Sequence, residues 1–233
     1  MTDFISKYFN FQEKNTSLKT ETIAGITTFL TMSYALFLIP SVLADAGMPK
    51  DSVFVATAVA AAVGTLIMGI FAKFPMALAP GVGLNAFFTY SVCIGMDIPW
   101  QTALSGVLAS GIIFLIISAT GLRELVIKAI PTNLKFAVSS GIGLFIAFIG
   151  LKNAGIVVAN SSTFVALGDL TNPTVLLSVF GLVAISIFMV RGSQIAIFLG
   201  MALTVIVGMI FGLIDLPTSV ISMPPSMAPT FGV

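Results

Sequence analysis

Asn85 is the residue of this sequence whose chemistry and neighbours best suit contact with a small polar molecule. It lies in "ALAPGVGLNAFF" (Ala77–Phe88), where Pro80, Gly81 and Gly83 interrupt an otherwise apolar run. Its amide both donates and accepts, so it can pair with the edge of a flat heterocycle. Phe87 and Phe88 follow at once and offer ring faces for stacking. Helical spacing puts Phe88 near the side of Asn85, whereas an extended start puts Phe87 there. The plainer alternative makes Asn85 a helix cap and turns both rings toward lipid.

The interruption itself needs a reason. Proline lacks the N–H that a helix needs, and glycine readily takes non-helical dihedrals. The backbone from Pro75 to Gly83 is therefore expected to be extended or irregular, with a half-helix over Leu84–Met96. Unpaired backbone groups in lipid cost several kcal/mol each, so such a break survives only against protein or a polar cavity. The backbone of Gly81, Gly83 and Leu84 would present free donors and a partial positive charge to that cavity. A second polar patch lies in "GITTFLTMSY". Thr27, Thr31 and Tyr34 share a helical face there, with Thr28 and Ser33 beside it. Any one threonine can simply bond the carbonyl one turn back, but five such groups within eight residues favour a polar lining.

Reactive chemistry is not visible. Histidine is absent and Cys93 is the sole cysteine, which leaves no intrachain disulfide and no thiol metal cluster. There are no paired carboxylates, no nucleophile–base pair and no phosphate loop, so neither an enzyme nor a bound cofactor is indicated. The near-neutral net charge of +1 gives no sign of nucleic-acid binding.

The elements that carry these residues are membrane segments. The 233 residues are 58% hydrophobic and 8% charged, with a mean hydropathy of +1.12, whereas soluble domains carry about 25% charged residues. Seven runs contain no charge: Ile23–Leu43, Val53–Ala72, Phe74–Met96, Ile98–Leu122, Phe136–Leu151, Pro173–Val190 and Gly192–Ile214. Spanning takes roughly 20 residues; Phe136–Leu151 is short unless Ile130–Leu134 extends it past Lys135. The fold class expected is an all-α integral membrane protein of seven segments, the third broken by a short extended stretch.

Charge orients them. With the N-terminus cytoplasmic, Lys7, Lys14, Lys19, Lys73, Arg123, Lys128, Lys135 and Arg191 lie inside, and only Lys50 and Lys152 outside. Residues 1–20 form a tail without a signal-peptide core, either a short interfacial helix through Phe4, Ile5, Tyr8, Phe9 and Phe11 or a disordered segment. Residues 21–214 hold the seven segments, and the Pro-rich end 215–233 lies outside and reads as truncated. An odd-numbered unit followed by a like unit would be inverted, as in many transporters, so a first repeat of a protein about twice as long is expected. Stripes of small residues, Gly200–Thr204–Gly208–Gly212 and Ala56–Ala60–Gly64, mark helix packing.

"TETIAGITTFLTMSYALFLIP", "LADAGM", "ALAPGVGLNAFF" and "SSGIGLFIAFIGLKNAGI" together resemble the first half of the adenine/guanine/hypoxanthine permeases, the AzgA-like branch of the nucleobase–cation symporters. The likeness runs over about residues 10 to 233. It implies a seven-plus-seven inverted-repeat fold with core and gate domains. The third and tenth segments would be broken around a purine that enters with a proton. Asn85 then matches a substrate-region asparagine, Ala86 lies where backbone meets base, and Thr28 falls where relatives carry a polar residue near the site. The acidic substrate and proton residues would belong to a second half that this chain lacks. The resulting partners are a purine nucleobase, the bilayer of the cell membrane and the missing repeat, and the full-length protein could pair as a homodimer.

Three other readings compete. A sulfate-type anion transporter half shares the superfamily, but the amide and rings of "LNAFF" favour a neutral heterocycle. A retinal-type photoreceptor would need a lysine within Gly192–Ile214, which has none. A membrane enzyme lacks its catalytic set.

Overall fold

The computed structural model describes residues 6–13, 15–74, 76–215, 223–230 and 232. Phe4, Ile5, Pro75 and residues 216–222 of the Pro-rich end lie outside the described residues. The chain is mostly helical and forms two compact units, one from 1–40, 51–80 and 171–227, the other from 41–50, 81–170 and 228–233. Among the described residues, five apolar helical stretches are long enough to cross a membrane: Leu18–Ala44, Lys50–Ile70, Trp100–Ala119, Thr132–Asn153 and Pro173–Val190. Two charge-free runs yield shorter helical stretches, Val82–Ile94 and Ala196–Ile210.

The first unit holds α1 (Leu18–Met32), the start of α2 (Ala35–Ala44), α3 (Lys50–Ile70) from Asp51 on, α8 (Pro173–Val190) and α9 (Ala196–Ile210). Ser17 caps α1 by accepting from the Thr20 N–H at 3.2 Å. The first run, expected to be one segment, is two helices. At the join, the Ser33 hydroxyl donates to the Leu30 carbonyl at 2.8 Å, a back-bond of the type that bends helices. Pro40, inside α2, withholds a further donor.

The α8–α9 hairpin shows what the small-residue stripe does. A Cβ at Gly181 would stand 2.6 Å from Thr204 Oγ1, one at Gly208 would stand 2.9 Å from Leu177 Cδ2, and one at Gly200 would collide with Ile185. Each step of four residues up α8 matches four down α9, so along an antiparallel seam each glycine of one helix seats a side chain of the other and leaves no room for a Cβ. Gly212 is not part of that seam. It lies past the end of α9 at φ +67°, where it terminates the helix in the left-handed conformation that glycine adopts without strain.

The tail contributes a fixed contact to this unit. Ser6–Tyr8 are helical, the Tyr8 hydroxyl donates to the Ile70 carbonyl at 2.9 Å, and Lys73 Nζ lies 4.4 Å from the Tyr8 ring centroid.

The second unit holds the end of α2, α4 (Val82–Ala86) running into a π-helix (Phe87–Ile94), α5 (Trp100–Ala119), α6 (Leu122–Ala129) and α7 (Thr132–Asn153). Lys135 sits inside α7, so the fifth run does extend past it. The all-α expectation needs one correction. After α7 the chain forms a two-stranded antiparallel hairpin, β1 (Val157–Asn160) and β2 (Phe164–Leu167), pairing Val157 with Leu167 and Asn160 with Phe164. Two short, largely apolar stretches flank a polar turn in which Asn160 Oδ1 accepts from the N–H groups of Ser162 (2.8 Å) and Thr163 (3.1 Å), the local bonding that makes asparagine a turn former.

Candidate functional site

The break in the third segment is present. Residues 76–81 have no regular structure, and a side chain makes good the missing ladder. Thr65 Oγ1 accepts from the Leu78 N–H at 2.9 Å and donates to the Leu78 carbonyl at 3.3 Å. One hydroxyl thereby satisfies both backbone groups of a residue outside any helix. Gly64 lies alongside, where a Cβ would sit 3.6 Å from that of Leu78.

The helix resumes earlier than expected. Gly81 is its N-cap at φ −73°, ψ 120°, and the Asn85 N–H already bonds the Gly81 carbonyl at 3.2 Å. Gly83 is therefore helical, not irregular, and Leu84 lies within the first turn. Asn85 is not the cap, because its position is one turn inside. The role of Gly83 is close approach: a Cβ there would stand 3.0 Å from Ile142 Cγ2 on α7.

The helical start decides which faces are covered. Leu84 and Phe87 are 76% and 53% exposed, whereas Ala86 is fully buried and Phe88 is 8% exposed. Asn85 Nδ2 is buried with no hydrogen-bond partner among the described residues, and so is Thr89 Oγ1, one turn further on. Of the two phenylalanines, Phe88 is thus the one on the covered side. Thr89 escaped the sequence reading, yet its spacing of four from Asn85 was the available signal.

A cluster of polar groups holds the far end of this half-segment. The Tyr90 hydroxyl donates to Asp45 Oδ2 at 2.7 Å. Lys152 Nζ lies 3.8 Å from the same oxygen and 4.6 Å from the Tyr90 ring centroid. Gly83 meets Ile142 and Tyr90 meets Lys152, in the same sequence order, so the half-segment runs parallel to α7.

Thr28 belongs to the first unit. Its hydroxyl donates to the Ala24 carbonyl at 2.8 Å, and Thr27 and Thr31 likewise bond one turn back, to Ile23 and Thr27. Thr31 also reaches the Gln194 carbonyl at 3.2 Å. Thr28 lines a cavity of about 640 Å³ with Gly25, Met32, Thr57, Thr65 and Leu78. The α3 wall of that cavity includes Thr57, Ala61, Thr65 and Gly69, a stripe one residue out of phase with Ala56–Ala60–Gly64, together with Ala58, Ala62 and Leu66. It opens space instead of filling it.

Broken membrane helices are a device from which many transporters build a binding site, and comparison with known proteins gives the family. A xanthine/uracil-type model described as "Permease family" matches residues 19–232. The chain belongs to the xanthine/uracil permease family. A guanine/hypoxanthine permease of Bacillus subtilis is 50% identical over 97% of the chain and 53% of its own length. A second Bacillus subtilis guanine/hypoxanthine permease is 46% identical over 93% of the chain and 50% of its own length. An adenine permease of Escherichia coli is 40% identical over 98% of the chain and 51% of its own length. The chain spans about half the length of the relatives it matches. As a xanthine/uracil permease family member it is a multi-pass membrane protein and not an enzyme.

Proposed function

We propose that this chain is the first of two inverted seven-segment repeats of a proton-coupled purine nucleobase permease of the cell membrane, with its N-terminus cytoplasmic. The observation that carries this reading is the 40–50% identity to guanine/hypoxanthine and adenine permeases along 93% or more of the chain. Asn85 supplies the amide for the base edge, with its Nδ2 donor uncommitted. Phe88 supplies the ring face, Ala86 a backbone contact and Thr28 a hydroxyl lining the cavity of its own unit. The half-helix turns at Gly81, Gly83 and Leu84 toward the base, while Phe87 contacts lipid or the second repeat. The proton-coupling group belongs to the second repeat, since no charged residue lies in the seven charge-free runs. The sulfate-type alternative gains no support from these relatives.

The test is uptake of radiolabelled adenine, guanine and hypoxanthine in cells without purine permeases of their own. A two-repeat permease with this chain as its first half should take up base in a proton-dependent manner, and the 233-residue chain alone should not, because alternating access needs both repeats. Uptake by the chain alone overturns the half-permease reading, and no uptake by the two-repeat protein overturns the purine reading.

A further inference from the structure

We propose that Tyr90, Asp45 and Lys152 form a lock that sets the rotation of the π-helical half-segment, making them positioning residues for base recognition by Asn85; this rests on the nucleobase reading above. A π-helix is rare, departs from the favoured helical hydrogen-bond pattern and recurs at functional sites. Eight residues of it, Phe87–Ile94, begin two positions after Asn85. Successive residues of a helix differ by about 100° around its axis, so a rotational slip of one residue would turn Asn85 away from its present direction. Something outside the helix must prevent that slip.

The N-terminal contact, Gly83 against Ile142, is apolar and sets distance more than angle. The far end is different. The Tyr90–Asp45 bond is short at 2.7 Å and has a charged acceptor, which makes it directional and strong for its class. Lys152 draws in the same carboxylate oxygen and covers the ring that carries the hydroxyl. It stands in the last turn of α7, where the helix dipole favours a cation. The three residues come from three elements, the turn after α2, the π-helix and α7. Asp45 and Lys152 are roughly half exposed, and exposed ion pairs add little to stability. The cluster therefore acts on orientation, and its loss should be read in recognition and not in the melt.

In a two-repeat permease with this chain as its first half, Tyr90→Phe and Asp45→Ala should each raise KM for the base about tenfold, the loss expected from one hydrogen bond to a charged acceptor. The double variant should be no worse than either single one, because both remove the same bond. Maximal rate and membrane abundance should stay as in the parent, and Lys152→Arg should preserve KM. A second readout needs no substrate: in the detergent-solubilised 233-residue chain, Tyr90→Phe should speed amide hydrogen exchange at 87–94, and Tyr8→Phe should not. Unchanged KM, effects that multiply in the double variant, or unchanged exchange at 87–94 would each overturn the lock. Absent purine uptake in the parent with exchange still responding to Tyr90→Phe would sink the purine reading and leave the rotational restraint standing.

Discussion

Thr65 and Leu78 are joined by two hydrogen bonds through a single hydroxyl, which accepts the Leu78 N–H at 2.9 Å and donates to its carbonyl at 3.3 Å. A side chain thus replaces the helical ladder where the third segment is broken. Thr65→Val keeps the shape and strands both backbone groups, which should destabilise the chain by about 1 to 3 kcal/mol. Thr65→Ser should retain most of that stability. Thermal melts in detergent compare the two, and equal melting temperatures would mean that the Leu78 groups find other partners.

Gly83 and Ile142 should behave as a size-coupled pair. Alanine at 83 would bring its Cβ to 3.0 Å from Ile142 Cγ2, and overpacking of this kind costs about 1 kcal/mol or more. In an Ile142→Ala background the clash is gone, and the better helix propensity of alanine should turn the change into a gain of up to about 1 kcal/mol. A four-variant melting cycle reads the reversal of sign. If Gly83→Ala has the same effect in both backgrounds, the two positions do not touch.

Asn85 and Thr89 both carry a buried polar atom without a partner among the described residues, yet they should respond differently. Thr89→Val removes a hydroxyl that satisfies nothing, and should be neutral or stabilising by about 1 kcal/mol. Asn85→Ala, in a two-repeat permease, should weaken purine uptake by about 1 to 3 kcal/mol, the discrimination a bidentate contact gives in base readout. Membrane abundance should hold. Normal uptake by Asn85→Ala at normal abundance would remove Asn85 from the site.

Topology is checked with single cysteines on a Cys93→Ser background. Cysteines at Lys50 and Lys152 should react with an impermeant thiol reagent applied outside, and those at Lys73 and Arg191 should be protected. The charge distribution predicts this because cations concentrate on cytoplasmic connections. The opposite pattern would reverse the orientation.

What could be read from the sequence, and what could not, follows the range of the forces involved. Charge-free runs show where the apolar helices lie, because exclusion from water is a property of composition; Pro173–Val190 coincides with its helix, started by Asn172 and Pro173 and stopped at Gly192. The break near Pro80 was legible for a similarly local reason. Its end was not: Gly81 and Gly83 have ordinary negative φ, and Gly83 serves the neighbouring α7, 59 residues along the chain. The hairpin around Asn160 has a readable turn, an asparagine followed by two serines and a threonine, between two short apolar stretches. The Asp45–Tyr90–Lys152 cluster has no local signature, because its members meet only when three elements converge.

One consequence of the back-bonded threonines concerns hydrogen-bond polarity. The Thr28 hydroxyl already gives its proton to Ala24, so the cavity it lines meets only its lone pairs. A guest bearing an N–H can bind that oxygen directly. A guest that presents only carbonyls or ring nitrogens must first break the bond to Ala24. N-methylation of a bound heterocycle at the atom facing Thr28 would therefore cost more than its bulk alone, and Thr28→Val should erase that difference.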